Sequence, residues 1–534
     1  MIERNGCRFF THNFAEYLYE NMFQTAIIVI VTTLAIVPMS EETGVNTVCP
    51  PNCACNEDTL VVICKENTLN EVPITLNPAI ERLILGHNKI KTVDAAAFQF
   101  YSMLKHIDFS NNQLVRIPNQ AFGTQAKLIE LHLNQNRLSN ITDKTFHGLK
   151  SLTVLNLRGN FLEDLPNKIF NHLSRLTELD LGHNRIQRID PETFEGLPSL
   201  KILHLDDNQL TKVPTHSFQY LSGLAELHIG LNSFRSLGND SFARLNSLTK
   251  LDLAGAGLVN ISDFAFRGLD NNLRSLILSD NELVTIPTKQ LSKLSRLEEL
   301  SIGQNPFSTL PKDCFKGLVN LRHLVVSGAP NLVAIDTGAF AENLNLEIIT
   351  FTDNKQLKYI GDQALTGLPN LKDAILRDNG FVSFKESLVP WPLLRTFDVS
   401  GNPIDCECSL SWMRDLLLQR NTTHVLCSVP QSLKDKPLRH LTAEDLGCST
   451  YVSTHQTIIG AICGIVVALV ALLLILLYRY RHKIHDLFKN YKWKKQTKVN
   501  KNKQAEYQKT FNDDEFIIRT AQHQTLKPIP VTEL

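Results

Sequence analysis

Leu104-Lys-His-Ile107-Asp-Phe109-Ser-Asn-Asn112 is followed 24 residues later by Leu128-Ile-Glu-Leu131-His-Leu133-Asn-Gln-Asn136. Leu152-Thr-Val-Leu155-Asn-Leu157-Arg-Gly-Asn160 and Leu176-Thr-Glu-Leu179-Asp-Leu181-Gly-His-Asn184 come next, at the same interval. The shared pattern is LxxLxLxxN. It starts fourteen times, at Ile80, Leu104, Leu128, Leu152, Leu176, Leu200, Leu224, Leu248, Leu273, Leu297, Leu321, Leu346, Leu371 and Leu394. Alternating apolar residues mark a short strand with one buried face, and the residues between them face outward. The closing asparagine recurs at Asn88, Asn112, Asn136, Asn160, Asn184, Asn208, Asn232, Asn281, Asn305, Asn354, Asn379 and Asn402. Its amide can satisfy backbone groups of its own turn and of the neighbouring one, which an apolar side chain cannot do. Ala256 and Ala329 occupy the slot in units eight and eleven, the latter with Asn331 two places late, so the ladder is expected to break there. Phenylalanine holds its own register at Phe98, Phe122, Phe146, Phe170, Phe194, Phe218, Phe242 and Phe266. Such spacing predicts a column of rings on the side opposite the strands, filling the core between coils.

This period and pattern are the leucine-rich-repeat signature. They predict an α/β-type repeat solenoid over residues 80–402, a horseshoe whose parallel sheet lines the concave face. Fourteen strands about 4.8 Å apart give an arc of about 65 Å. The exposed positions form columns. One reads His132, Asn156, Asp180, His204, His228, Asp252, and its neighbour reads Glu130, Val154, Glu178, Ile202, Glu226, Lys250. Glu130, His132, Asn156, Glu178, Asp180, His204, Glu226 and His228 are therefore the candidate partner-binding residues on repeats three to eight.

A solenoid exposes the apolar faces of its first and last coils, so both ends need caps. Eight of the eleven cysteines fall at those ends, as Cys49, Cys53, Cys55, Cys64 and as Cys406, Cys408, Cys427, Cys448. Even-numbered clusters in an exported chain indicate disulfide frameworks, here caps over 49–79 and 403–448. Spacing alone permits three connectivities in each.

Two apolar segments bear on a membrane. Ala26–Val37 has the length of a signal-peptide core within an N-terminal extension over 1–40, with Met1 or Met22 as the start and Cys7 ahead of it. Ile458–Tyr478 is uncharged for 21 residues, enough for one helix through a bilayer, after a stalk over 449–457. Ten Lys/Arg residues follow between Arg479 and Lys503, and none lies between His440 and the helix. The positive-inside rule then puts residues 479–534 in the cytosol and the N-terminal part outside, as a single-pass type I plasma-membrane protein. The formal charge of zero divides along the same line. From Arg479 on there are 13 Lys/Arg and 6 Asp/Glu, which leaves 41 basic and 48 acidic residues in the first 478. A mildly acidic body has no counterion-release drive toward nucleic acid.

Sequons at Asn140, Asn239, Asn260 and Asn421 all lie outside the LxxLxL strands, so glycans there would leave the concave sheet bare. The histidines of the columns show no HxxxH or fixed ligand spacing, so no metal or cofactor is expected. No Ser-His-Asp or Cys-His set, phosphate loop or paired carboxylates in a cleft supports an enzyme. The tail is too short and polar for a kinase, phosphatase or toll-type domain. Its end, Thr532-Glu533-Leu534, fits a PDZ groove, which adds such a tail as a strand and takes Leu534 in a pocket while Thr532 supplies a hydroxyl.

Cys49-Pro-Pro-Asn-Cys53-Ala-Cys55 with Cys64 resembles the N-terminal cap of extracellular leucine-rich-repeat proteins. Asn402-Pro403-Ile-Asp-Cys406-Glu-Cys408, with Trp412, Cys427 and Cys448, resembles their C-terminal cap. That resemblance implies Cys49–Cys55, Cys53–Cys64, Cys406–Cys427 and Cys408–Cys448 pairing. With one membrane helix and a short tail ending LKPIPVTEL, the chain resembles the insect tartan/capricious family of adhesion proteins. The resemblance implies recognition of a cell-surface protein, homophilic or heterophilic, in neuronal target choice or at tissue boundaries. The alternative is a receptor or co-receptor for a secreted or microbial ligand that signals through a partner chain.

Overall fold

The computed structural model describes residues 49–65, 68–420, 424–448 and 451–506. The signal-like segment with Cys7 and Met22, the Asn421 sequon and the Thr532–Leu534 terminus lie outside the described residues. The chain forms two compact units, divided between Leu446 and Gly447.

The first unit is built on one sheet of sixteen strands, each neighbour following the last in chain order. Cys53–Asn56 pairs antiparallel with Val61–Cys64, and every later pairing is parallel. Fourteen strands belong to the repeats, from Arg82–Ile84 to Thr396–Asp398. Most are three residues long with only the central one buried, so each coil contributes a thin slice of core. The leucines fulfil the inward role read from the pattern: Leu131, Leu155, Leu179 and Leu203 have no exposed surface. The leucine-rich-repeat solenoid with a parallel sheet is the fold of this chain.

The asparagine ladder holds the coils in register. Asn160 shows the scheme: its Oδ1 accepts from Leu138 N–H at 3.0 Å, while its Nδ2 donates to Leu133 O at 3.0 Å and Leu157 O at 2.9 Å. The other ladder asparagines likewise bind their own turn and the preceding coil, except Asn354, whose side chain bonds only to the preceding coil. The residue before the slot is left-handed in all fourteen repeats, from His87 (φ 59°) to Gly401 (φ 67°). That turn aims the side chain back into the core.

The two alanine units differ in their backbone bonding. At unit eight the Phe234 N–H, which would meet an asparagine Oδ1, donates to the backbone carbonyl of Ala256 at 3.1 Å. Gly255 and Gly257 flank it at φ +63° and +68°, a backbone that L side chains rarely adopt. At unit eleven the Ala329 N–H itself donates to Asn354 Oδ1 at 2.8 Å. The strands of units eleven and twelve also lengthen to His323–Ser327 and Ile348–Thr352.

The phenylalanines are all buried, but their packing is uneven. Phe146, Phe170 and Phe194 stack nearly parallel with centroids 6.1 and 6.4 Å apart, whereas Phe98 meets Phe122 edge-on. Leu291 takes the next place in the column, and Phe315 and Phe340 resume the stack. Opposite the main sheet, two-residue strands pair in parallel, including Ser236–Leu237 with Asn260–Ile261.

Disulfides join Cys49 to Cys55, Cys53 to Cys64 and Cys406 to Cys427, and Cys408 and Cys448 are also disulfide-bonded. At the far end Trp391 is buried against Phe384, Phe397 and Trp412, with centroids 5.5–5.9 Å apart. Helix Ser411–Gln419 lays Met413, Leu416 and Leu417 into the same core. Together they seal the last coil.

The second unit contains helices Tyr451–Arg479 and Arg481–Glu506. Thr457–Arg479 is long and apolar enough to cross a membrane, by length and composition. The basic segment after it is helical as well.

Candidate binding face

Parallel register carries the two polar columns across the sheet without a slip. Glu130, Val154, Glu178, Ile202, Glu226 and Lys250 are Cα partners in turn, as are His132, Asn156, Asp180, His204, His228 and Asp252. Each is half-buried, because flanking side chains on neighbouring strands shield it.

The centre of the face is a charged network. Arg158 Nη2 donates to Asp206 Oδ2 at 2.7 Å, and its Nη1 lies 3.4 Å from Asp180 Oδ1. To do so the guanidinium passes over Gly182. A Cβ there would come within 2.1 Å of Arg158 Nη1 and 2.9 Å of Asp206 Oδ1. His204 stacks on His228 with centroids 4.5 Å apart at 16°. His204 Nδ1 lies 3.7 Å from Asp206 Oδ1, a charge contact longer than a hydrogen bond. His228 contacts Asp252 at 3.3 Å through Nδ1 and Glu226 at 3.6 Å through Nε2, and Lys250 Nζ reaches the same Glu226 carboxylate at 3.3 Å.

These contacts set the titration of the groups. The Asp206 carboxylate beside it raises His204 against the opposing effect of burial, helped by the charges of Asp180 and Glu178. Burial works to raise Asp206, but His204 and Arg158 outweigh it and hold the carboxyl well below its ordinary range. Burial likewise works to raise Asp252, and His228 with the Ala254 N–H brings it down.

A second cluster lies on repeats two and three. His106 Nδ1 is 2.8 Å from Glu130 Oε2, and His132 Nε2 is 3.5 Å from the same oxygen. Burial lowers His106 further than Glu130 raises it. Glu130 is itself lowered, because its bonds to His106 and His132 outweigh burial.

Of the candidate residues, Glu130 and His132 join the second cluster, and Asp180, His204, Glu226 and His228 join the central network. Glu178 faces His204 through its charge. Asn156 accepts from the Arg158 N–H through its Oδ1 at 3.0 Å. Sequence reading missed His106, Arg158 and Asp206. His106 occupies the Glu130 column one repeat earlier, and extending the column would have found it. Arg158 and Asp206 stand in a third exposed column, just before the left-handed residue. Asn140, Asn239 and Asn260 are exposed and lie off the main sheet.

Continuous parallel sheet, inward leucines and asparagine ladder define the class by fold, a leucine-rich-repeat solenoid. The model described as "Leucine rich repeat" matches residues 78–128, 126–166, 150–210, 198–258 and 271–330. Rat Tsukushi is 29% identical over 136 residues, 25% of this chain and 37% of that protein. Trophoblast glycoprotein of Macaca fascicularis is 25% identical over 205 residues, 36% of this chain and 43% of that protein. The chain therefore spans less than half the length of either. A structure of a TLR13–ssRNA13 complex superposes with a TM-score of 0.51 at 25% identity, covering 68% of this chain and 54% of that one.

Proposed function

We propose that the chain is a cell-surface recognition protein whose concave sheet binds a protein partner on a neighbouring cell, in the manner the tartan/capricious resemblance implies. In this reading the helix Thr457–Arg479 anchors it, with residues 49–448 outside the cell. The observation that carries the reading is the central network. Asp180, Asp206, Glu226 and Asp252 hold Arg158, Lys250, His204 and His228 in fixed orientations on a half-open surface. Charges already ordered before encounter reduce the cost of fixing them on binding and discriminate among partners. The TLR13 structure holds single-stranded RNA, but a surface with Glu178, Asp180, Asp206, Glu226 and Asp252 repels phosphate. A protein with a complementary basic or mixed surface suits it. Exposed sequons at Asn140, Asn239 and Asn260 would carry glycans clear of this sheet, leaving it accessible.

The test is to add soluble residues 49–448 to cells with and without the full-length chain. Binding that requires the full-length chain is expected for homophilic recognition, and it should weaken at least tenfold in Arg158→Ala/Glu226→Ala. Binding to neither cell type would overturn homophilic recognition and point to a different surface protein or a secreted ligand. Undiminished binding by the double variant would move the interface off this face.

A further inference from the structure

We propose that His106, Glu130 and His132 form a binding site for a zinc-class divalent cation, at the amino-terminal end of the concave face and apart from the central network. His106 and Glu130 are Cα partners on adjacent strands, and His132 stands two residues beyond Glu130 on the same strand. Residues i and i+2 of a strand point to one side, so backbone pairing alone turns all three side chains onto the same patch. One ligand atom from each lies within 4.8 Å of the other two. Tetrahedral zinc with bonds of 2.0–2.1 Å separates its ligand atoms by about 3.3 Å. The distances from Glu130 Oε2, 2.8 Å to His106 and 3.5 Å to His132, bracket that value. A cation seated between them would replace the proton now shared by His106 and Glu130. Two imidazoles and a carboxylate are the donor set that zinc, copper and nickel accept and that calcium and magnesium do not favour.

The surroundings permit a cation. Arg82, the Cα partner of His106, opposes one, while Asp108, the Cα partner of His132, favours it. Asp108 stands outside the three-ligand group, with its Oδ1 accepting from the Ser110 N–H at 2.8 Å, and adds negative charge beside it. The side chains of Glu130 and His132 are 44% and 26% exposed, which gives an ion a direct path from solution. No HxxxH spacing announces the site, because His106 lies 24 and 26 residues before the other two ligands and meets them only through the repeat. It stands whether or not the central network binds a partner.

Untagged full-length chain in detergent micelles would be titrated with Co²⁺ as a visible probe and then with Zn²⁺ as competitor. We expect one Co²⁺ per chain, with the absorption bands of a four-coordinate N/O site, displaced by one equivalent of Zn²⁺. Glu130→Gln and His132→Gln should each weaken Zn²⁺ binding at least tenfold while leaving the thermal unfolding midpoint of the metal-free protein within a few degrees. His204→Gln/His228→Gln should bind as the parent does. Absence of saturable binding would overturn the site, as would equal affinity in Glu130→Gln. Loss of binding only in the His204→Gln/His228→Gln protein would overturn its location.

Discussion

Asn184 ties its Oδ1 to the Leu162 N–H and its Nδ2 to the Leu157 and Leu181 carbonyls, all away from water. Asn184→Ala strands the Leu162 N–H and takes one donor from each carbonyl, and an unsatisfied buried polar group costs 1–3 kcal/mol. We expect a loss of about 3 kcal/mol, because the carbonyls keep other partners, seen as a lower denaturant midpoint. No change would mean that the turn recovers its bonds as unit eight does through Ala256. Leu231 carries the opposite lesson. It holds the left-handed conformation (φ 48°) yet is half exposed, so little burial offsets the strain. Leu231→Asn should stabilise by about 1 kcal/mol, since asparagine tolerates this backbone; a destabilised variant would show that the leucine's contacts outweigh the strain. The asparagine slot was legible because one residue type recurs. The left-handed place before it was not, because His, Asn, Gln, Gly, Asp and Leu share it.

Between elements, the central network couples strands through side chains that sequence columns list but cannot aim. Arg158 was invisible as a bridge because its partner Asp206 lies 48 residues on, two coils away. Gly182→Ala should displace the guanidinium while leaving stability within about 1 kcal/mol, since exposed ion pairs contribute little. A crystal structure of the variant would show Arg158 turned from Asp206; an intact bridge would contradict the steric reading. The network also gives a pH dependence with a definite sign. Asp206, depressed in the folded state, contributes stability above the ordinary carboxylate value and loses it as pH falls through its own lower value. His204, raised, contributes fully below the ordinary histidine value and loses it as pH rises through its own. Both contributions coexist between about pH 4 and 6.5. Asp206→Asn should lower the His204 pKa by NMR titration and remove the extra stability of this window relative to neutral pH. An unmoved His204 would assign its shift to Asp180 and Glu178 instead.

For the whole molecule, the period of the sequence disclosed the solenoid because every coil repeats one physical solution. It disclosed less about the working face. A column places a residue on the surface, whereas its partners depend on side-chain reach and on bare positions such as Gly182. The helical state of Arg481–Glu506 was equally hidden, since Lys and Asn crowd the segment without an extended apolar period.

Consider the Ala256 seam as a joint under load. On the proposed reading the chain is anchored beyond its last coil by a membrane and gripped on its concave face by a neighbouring cell, so pull crosses successive coils, and one backbone bond replaces an asparagine's set there. Tension would find that joint before the fully laddered ones, opening the array between its seventh and eighth coils while the cross-linked ends stay shut. The protein would then yield in stages and extend rather than let go.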